Sequence, residues 1–340
     1  MSPAVSQQDL IQVLAQMKGQ KVVVVGDPVL DVYIYGTTVR ISREAPIPIV
    51  RRDDAENRLG GAANAAANLA ALGATTSLVG FLGSDASADA LVETAQAMGI
   101  DTHGLIKLDG RHTITKTRIL AGGLHTTKQQ LLRLDQENEG PPNGDSVDRL
   151  LEAARTQISD ADVVIISDYG AFTGACVAVA EEARKLGKKV IVDSRYALGR
   201  FSGMSAVTPN EPEAEAALGI NLSAASEAVA AAEKILADQK LDAVLLTRGR
   251  EGMAIAQTGQ ATVLLDAHGA KDAVDVTGAG DTVIATFTLA QASGAGVVES
   301  AILANCAAAL VVQEVGAATV SLKDIEDALA DFDPASLKAP

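Results

Sequence analysis

Residues 21–26 read KVVVVG, a run of four valines between a lysine and a glycine. A strand with one face in solvent alternates apolar and polar residues, whereas a strand covered on both faces is apolar throughout. Further runs of this second kind are TTSLVG at 75–80, ADVVIIS at 161–167, KKVIVD at 188–193 and DAVLLT at 242–247. We predict that these segments are parallel strands of one sheet with helices on both faces.

Alanine-rich segments between the apolar runs predict the helices. In one of them Leu91, Ala95 and Met98 share a face, and Gly99 marks its end. The predicted helices cover residues 61–72, 85–98, 174–186, 222–238, 279–293 and 297–314. The alternation of strand and helix predicts an α/β fold, with a doubly wound, mostly parallel sheet flanked by helices.

Two segments interrupt this alternation. Residues 32–58 contain VYIYGTTVRIS and PIPIVRR, and residues 112–134 contain HTITKTRIL and KQQLLRL. Neither has a helical period, so both predict strands of a small β layer. We interpret this layer as a lid inserted into a single domain that spans residues 1–340. The stretch EGPPNGD at 139–145 predicts a polar loop that leads back to the main sheet.

The overall charge is acidic, with 28 Lys+Arg against 43 Asp+Glu and a net charge of −15. This balance argues against a broad surface for nucleic acid or anionic membranes, but it allows a local basic pocket. No charged and apolar leader opens the chain, and no apolar run approaches the ~20 residues of a membrane span. We therefore expect a cytoplasmic protein, with Cys176 and Cys306 as free thiols in the core.

The segment DVTGAGDT at 275–282 carries the strongest chemical signal. Gly278, Ala279 and Gly280 allow a tight turn into a helix, where successive N–H groups and the positive helix end bind an anion. Asp281 stands just inside this helix. An acidic residue is common in a first turn, but beside an anion cradle a carboxylate can also accept a proton from a hydroxyl that attacks a phosphate.

A second signal is GGAANAAANLAALG at 60–73. Gly60 and Gly61 precede an alanine-rich helix, and Asn64 and Asn68 follow at a spacing of one helical turn. At the helix start the glycine backbone and the Asn64 amide can reach a polyhydroxyl ligand. Asn68 is further along, and a packing role is the simpler interpretation for it.

Together these two segments resemble the signatures of the ribokinase-like (PfkB-type) carbohydrate kinases: a Gly-Gly-x-x-Asn helix start and an Asp-x-Thr-Gly-Ala-Gly-Asp anion hole. The resemblance extends from about residue 21 to 329 and implies an ATP-dependent sugar kinase with a β lid over the sugar. Asp281 matches the general base of the family, and the backbone of Gly278, Ala279 and Gly280 matches its anion hole. Asp31, with Gly60, Gly61 and Asn64, matches the residues that hold sugar hydroxyls.

The resemblance also implies a nucleotide side. Asn210 and Glu213, in TPNEPE, match the motif that organises the Mg²⁺-bound phosphates; without the resemblance they would be interpreted as a turn and a helix start. The other matching positions are Thr247, Gly249 and Gly252 in a nucleotide-side turn, Asn305 in the adenine pocket, and Asp275 as a ligand of a monovalent cation such as K⁺.

Within the family, GDPVLDVYIYG, RISREAPIPIV, ITKTRIL and QLLRLD resemble kinases of D-glycero-D-manno-heptose 7-phosphate. That resemblance implies phosphorylation of the C1 hydroxyl to give heptose 1,7-bisphosphate, which leads to ADP-heptose and the lipopolysaccharide core. Heptose kinases often carry a nucleotidyltransferase domain, but the chain lacks its His-x-Gly-His and predicts a stand-alone kinase. A kinase of another sugar or sugar phosphate is the alternative. A dinucleotide-binding protein is disfavoured because Asp27 follows Gly26 in place of a G-x-G-x-x-G.

A phosphosugar carries about two negative charges, so an acidic chain needs local cations to bind it. Many of its cations fall in the predicted lid: Arg40, Arg43, Arg51, Arg52, Lys116, Arg118, Lys128 and Arg133. Arg43, Lys116, Arg133 and the separate Arg195 are our candidates for binding the 7-phosphate. The unpaired edges of the lid predict a homodimer, and we expect no nucleic-acid or membrane partner.

Overall fold

The computed structural model describes residues 5–123, 128–269 and 273–339. Strands and helices alternate through most of the chain. The strands are β1 (Lys21–Gly26), β2 (Pro28–Ile41), β3 (Pro48–Gly61), β4 (Thr75–Gly83), β5 (Asp101–Leu108), β6 (Ile114–Gly122), β7 (Gln129–Gln136), β8 (Val163–Asp168), β9 (Lys189–Ser194), β10 (Ala206–Val207), β11 (Ala243–Thr247), β12 (Met253–Gln257), β13 (Val263–Leu265) and β14 (Leu337–Lys338). The α-helices are α1 (Gln7–Met17), α2 (Ala62–Ala71), α3 (Ala86–Ala97), α4 (Gly144–Ser159), α5 (Thr173–Lys185), α6 (Glu211–Leu218), α7 (Ala225–Asp238), α8 (Ala279–Ala292), α9 (Val297–Val311) and α10 (Leu322–Ala328).

The large sheet has the strand order β14-β13-β12-β11-β10-β9-β8-β1-β4-β5 in the described residues. From β5 to β11 neighbouring strands are parallel, and β12, β13 and β14 continue the sheet in antiparallel pairs. The predicted doubly wound, mostly parallel sheet is therefore confirmed. Each apolar run singled out in the sequence is a strand of this sheet.

The valines of β1 explain why that segment is apolar at every position. Val22 and Val24 pack into the core layer that contains α1, α2, α3, α8, α9 and α10. Val23 and Val25 point to the opposite layer, which contains α4, α5 and α7. Both faces of the strand are buried, so neither tolerates a polar side chain.

Strands β3, β2, β6 and β7 form a separate small sheet in that order. Strand β2 begins one residue after β1 and pairs in parallel with β6, while β3 returns antiparallel and leads directly into α2. The predicted small β layer is confirmed, and its strands extend beyond the predicted segments 32–58 and 112–134. Residues 124–127 of the second segment lie outside the described part of the chain.

Some elements differ from the sequence prediction. The polar loop predicted at 139–145 ends at Asn143, whose side-chain oxygen accepts from the Ser146 N–H at 2.9 Å and starts α4 at Gly144. Helices α1, α4, α6 and α10 and strands β5, β10 and β12–β14 were not predicted. Strands β10, β13 and β14 have only two or three residues each, too few to show a period.

Cys176 and Cys306 are free and buried, as expected. Among the described residues, no helix is both long and apolar enough to cross a lipid bilayer.

Candidate active site

The site lies where the order of the parallel strands reverses. Strand β1 has β4 on one side and β8 on the other, and ligands of doubly wound sheets bind outside the carboxyl ends of strands at such a point. A cleft of about 710 Å³ occupies this position. It is lined by residues from the ends of β8 and β9, from the start of α8 and from the small sheet.

Asp281 lies in this cleft within the first turn of α8. One carboxylate oxygen, Oδ2, accepts from Asn64 Nδ2 at 2.8 Å, and the other, Oδ1, accepts from the Tyr169 hydroxyl at 3.0 Å. Burial raises the pKa of Asp281 to about 6, although both hydrogen bonds stabilise its charged form. A carboxylate with this pKa is ionised at neutral pH and can take up a proton.

The predicted anion cradle surrounds the start of the same helix. Gly278 adopts φ +80°, and a Cβ there would lie 2.6 Å from Asn64 Nδ2, so the turn requires glycine. Gly278 and Gly280 line the cleft. The N–H of Ala279 is already used, because it donates to Val276 O at 3.2 Å within the turn. The first amides of a helix lack intrahelical partners, so this end of α8 can still bind an anion.

The residues expected to hold sugar hydroxyls come together on the opposite wall. Asp31, Gly60, Gly61 and Asn64 all line the cleft. A Cβ at Gly60 would lie 2.5 Å from Asp31 Oδ2, so only glycine fits beside this carboxylate. Asp31 Oδ1 accepts from Arg118 Nη1 at 2.5 Å, and this ion pair is largely buried.

The candidate phosphate-binding cations are in different environments. Lys116 and Arg195 line the cleft, each near an aromatic ring: Lys116 Nζ is 5.8 Å from the centre of the Tyr169 ring. Arg133 also lines the cleft, but Asp135 binds its guanidinium through two hydrogen bonds of 2.9 Å. Arg43 is exposed in the turn between β2 and β3, outside the cleft lining.

Part of the predicted nucleotide side also faces the cleft. Asn210, Glu213 and Thr247 line it, whereas Gly249, Gly252 and Asn305 are not among its lining residues. Gly249 and Gly252 form the turn between β11 and β12 with positive φ angles, and Asn305 Nδ2 donates to Asp266 O at 2.8 Å.

Asn210 and Glu213 form a capping box at the start of α6. Asn210 Oδ1 accepts from the Glu213 N–H at 2.9 Å, and Glu213 Oε2 accepts from the Asn210 N–H at 3.0 Å. This arrangement leaves Glu213 Oε1 outside the box, and burial raises the pKa of Glu213.

Several carboxyl groups lie close to Glu213 in this part of the cleft. Burial, followed by the charges of Glu213, Asp281 and Asp168, holds the pKa of Asp193 well above its usual value. Among the described residues, no three His, Cys, Asp or Glu side chains converge into a metal site. The residues present fit Mg²⁺ that is bound largely through water and phosphate oxygens, with Glu213 Oε1 as the available protein oxygen.

The Asp275 carboxylate accepts hydrogen bonds from two loops. Its Oδ1 accepts from the Thr277 N–H at 2.9 Å and from the Thr277 hydroxyl at 2.7 Å, and its Oδ2 accepts from the Gly316 N–H at 2.8 Å. Burial would raise the pKa of Asp275, but these hydrogen bonds outweigh it and lower the pKa. The group is a charged oxygen donor beside the anion cradle, and its role as a cation ligand stays a prediction.

Sequence reasoning missed Tyr169 and Asp193 and did not select Arg118 among the lid cations. Tyr169 and Asp193 stand at the ends of β8 and β9, and position at the carboxyl end of a buried strand is the one signal that could have identified them. Nothing in the sequence indicates that Arg118 pairs with Asp31, since 87 positions separate them.

Solved structures with a similar fold are ribokinase-like enzymes. A structure of Arabidopsis thaliana ribokinase complexed with ribose and ATP matches with a TM-score of 0.72 at 22% identity, covering 93% of this chain and 100% of that one. Phosphofructokinase-2 from Escherichia coli in complex with potassium matches with a TM-score of 0.74 at 19% identity, covering 92% of this chain and 98% of that one. The molecule therefore has the ribokinase-like fold, as expected.

The family follows from the sequence match. The model of the pfkB family carbohydrate kinases matches residues 19–324, and the chain belongs to this family. The expected enzyme class, an ATP-dependent carbohydrate kinase, is confirmed.

More similar relatives are proteins named bifunctional protein HldE. Those of Shewanella amazonensis and Halorhodospira halophila are each 42% identical to the chain, over 311 and 312 residues respectively. Each alignment covers 91% of this chain and 63% of the relative. The chain thus spans less than two thirds of the length of these relatives.

Proposed function

We propose that this chain transfers the γ-phosphate of ATP to the C1 hydroxyl of D-glycero-D-manno-heptose 7-phosphate. The observation that carries the proposal is the position of Asp281. Its buried carboxylate lies between the start of α8, which can bind an anion, and the wall of the cleft that holds the residues expected to bind sugar hydroxyls. The product would be heptose 1,7-bisphosphate, a precursor of ADP-heptose and of the lipopolysaccharide core.

Asp281 supplies the base in this mechanism. It accepts the proton of the C1 hydroxyl as the oxygen attacks the γ-phosphorus, and its pKa of about 6 keeps it charged at pH 7. Asp31 and Asn64 hold the neighbouring hydroxyls, so the attacking oxygen is positioned before reaction. The amides at the start of α8 stabilise the charge that develops on the transferred phosphoryl group.

Mg²⁺ would be held by Glu213, through water, with Asn210 fixing the Glu213 side chain. When bound, the ion neutralises the phosphate charge. Burial raises the pKa values of Asp193 and Glu213, and a bound cation would stabilise their charged forms, which supports the assignment. A K⁺ ion bound at Asp275 would likewise place positive charge beside the anion cradle.

Two observations support a phosphorylated heptose as acceptor. The segments GDPVLDVYIYG and RISREAPIPIV, which resemble heptose 7-phosphate kinases, form the strands and turn of β2 and β3. Lys116 and Arg195 add positive charge to the cleft. They are the better candidates for the 7-phosphate, because Arg133 is already paired with Asp135.

A substrate panel tests the proposal. ATP turnover is measured on heptose 7-phosphate, unphosphorylated heptose, fructose 6-phosphate and ribose. We expect the highest kcat/KM on heptose 7-phosphate, exceeding that on unphosphorylated heptose by roughly 100-fold. A higher kcat/KM on fructose 6-phosphate or ribose would establish the alternative, a kinase of another sugar.

Single substitutions test which side chains bind the 7-phosphate of the sugar. Lys116→Met and Arg195→Gln should each raise KM for heptose 7-phosphate roughly tenfold or more, with little change for the unphosphorylated sugar. Arg43→Gln is the matched control, because Arg43 lies outside the cleft lining. An equal effect on both sugars would remove these residues from the phosphate site.

We also propose that a second copy of the chain covers the outer face of the small sheet. Arg133 of β7 lines the cleft, so Leu132 and Leu134 point to the opposite face, where they are 55% and 64% exposed. The edge strands β3 and β7 have backbone groups available for pairing. The molar mass by light scattering should be that of a dimer and should fall to the monomer mass in Leu132→Glu, whereas a wild-type monomer at all concentrations would rule the dimer out.

A further inference from the structure

We propose that Tyr169 is a positioning residue that fixes the Asp281 carboxylate for proton transfer. Its hydroxyl donates to Asp281 Oδ1 at 3.0 Å, while Asn64 Nδ2 donates to Oδ2 at 2.8 Å. With one donor on each oxygen, the plane of the carboxylate is fixed and its remaining lone pairs are available to the cleft. The inference rests on the proposed function, in which Asp281 is the base.

The turn that carries Tyr169 is built to hold it in place. Tyr169 directly follows β8, and its N–H donates to Asp27 Oδ2 at 2.6 Å. The next N–H, of Gly170, donates to Asp168 Oδ1 at 3.1 Å, and Asp168 Oδ2 accepts from the Ser194 hydroxyl at 2.7 Å. The ends of β1, β8 and β9 therefore fix the turn from which the phenol reaches Asp281.

The hydroxyl can act as a donor throughout the accessible pH range. Burial, reinforced by the charges of Asp281 and Asp193, holds the pKa of Tyr169 well above its usual value. The phenol thus remains protonated and stabilises the charged form of Asp281. It orients the base and is not itself a proton acceptor.

Several charged groups face this pair from the surrounding elements. Asp31 on β2 and Lys116 on β6 act on Asp281 with opposite signs. Asp193 at the end of β9 acts on both residues, and Arg195 beside it partly offsets its effect on Tyr169. None of these groups donates to Asp281 Oδ1 in the described structure, so Tyr169 supplies a contact that they do not.

The ring has a separate contact that can be tested independently. Lys116 Nζ from the small sheet lies 5.8 Å from the ring centre, over its face. Phenylalanine retains this contact and removes only the hydroxyl. Tyr169→Phe is therefore the informative substitution.

In Tyr169→Phe we expect kcat to fall roughly 10- to 100-fold, with KM for both substrates unchanged within about threefold. Because the lost hydrogen bond stabilises the carboxylate, the pKa of Asp281 should rise, by about half a unit to one unit. The acidic limb of the kcat profile then moves to higher pH. Tyr35→Phe is the matched control, since it also removes a hydroxyl that donates a hydrogen bond, to Glu56 Oε2 at 3.4 Å, but Tyr35 lies outside the cleft lining; it should leave kcat and the profile unchanged.

A double-mutant cycle separates positioning from a general structural effect. If Tyr169 acts through Asp281, Asp281→Asn/Tyr169→Phe should be no slower than Asp281→Asn alone. Multiplicative losses in the double variant would contradict the proposal. So would wild-type kcat and an unmoved pH profile in Tyr169→Phe.

A measurement that does not depend on turnover tests this inference separately from the proposed function. The side-chain carboxyl of Asp281 is titrated by ¹³C NMR in protein labelled at aspartate, and its signal is assigned by its loss in Asp281→Asn. A midpoint raised in Tyr169→Phe supports the contact even if heptose 7-phosphate is not a substrate. An unchanged midpoint overturns the inference, even if the wild-type kinase activity is as proposed.

Discussion

At the scale of single residues, the chemistry depends on how Asp281 is kept both buried and charged. Burial favours the neutral acid, whereas the donors Asn64 and Tyr169 favour the carboxylate. The balance gives a pKa of about 6, which is high enough to accept a proton and low enough to be ionised at neutral pH.

This balance predicts the pH dependence of catalysis. The base must be deprotonated to act, so kcat should fall as the pH drops through about 6, tenfold for each further unit. The measurement is kcat between pH 5 and 9 at saturating substrates, with the stability of the enzyme checked at each pH. A kcat that stays constant down to pH 5 would contradict the assignment of Asp281 as the base.

Some residues of the site could be predicted from sequence and others could not. Asp281, Gly278 and Gly280 belong to one short segment, so their proximity is local and the motif reveals it. Tyr169 lies 112 positions from Asp281, and the packing of α8 against β8 brings the two together. Such a contact is a property of the topology and leaves no pattern in the sequence.

At the scale of elements, α2 and α8 are joined by a chain of hydrogen bonds that ends on the base. The Thr282 hydroxyl donates to Asn68 Oδ1 at 2.9 Å, and Asn68 Nδ2 donates to Asn64 Oδ1 at 3.3 Å and to Asn64 O at 2.9 Å. With its oxygen occupied in this way, the Asn64 amide directs Nδ2 at Asp281. The packing role suggested for Asn68 thus includes orienting its neighbour.

Removal of this link should cost stability. Asn68→Ala should lower the free energy of unfolding by about 1–3 kcal/mol, because buried polar groups lose their partner. The measurement is urea denaturation, and Thr282→Ser, which keeps the hydroxyl, is the control that should lose only the roughly 1 kcal/mol of one buried methyl group. A stability of Asn68→Ala equal to that of wild type would show that the link is not needed.

The elements themselves were predictable where burial is complete. Five strands were visible because each contains a short continuous apolar run, and several helices because alanine-rich runs separate those strands. Helix α4 was missed, although Leu150, Ala154 and Ile158 recur at its buried face and Asn143 caps its start. Strands β13 and β14, of three and two residues, are too short to show a period.

At the scale of the whole molecule, the net charge of −15 is unevenly distributed. Acidic side chains concentrate at the strand ends beneath the cleft, and cations such as Lys116 and Arg195 line its walls. The cleft therefore combines a floor of carboxyl groups, whose charged forms a divalent cation would stabilise, with positive walls suited to an anionic substrate.

The buried acids also predict how the stability of the molecule depends on pH. Burial, followed by the charge of Asp168, raises the pKa of Asp27 from 3.8 to about 7, and that of Asp281 is raised to about 6. The folded state thus binds more protons than the unfolded chain between about pH 4 and 7. The free energy of unfolding should therefore fall as the pH rises through this window.

Thermal unfolding at pH 5.5, 7.0 and 8.5 checks this prediction, with the highest Tm expected at pH 5.5. In Asp27→Asn the dependence should be flatter, because asparagine does not titrate but can still accept from the Tyr169 N–H. A Tm that increases steadily from pH 5.5 to 8.5 would be inconsistent with protonated acids in the folded core.

The most direct test of the account is the kcat of Asp281→Asn on the best sugar substrate, measured together with its affinity for ATP. Asparagine has the shape of aspartate but cannot take up the hydroxyl proton. We expect kcat to fall by at least roughly 100-fold, while the Kd for Mg-ATP stays within about threefold of wild type. A kcat within tenfold of wild type would contradict the central claim that Asp281 is the base for phosphoryl transfer.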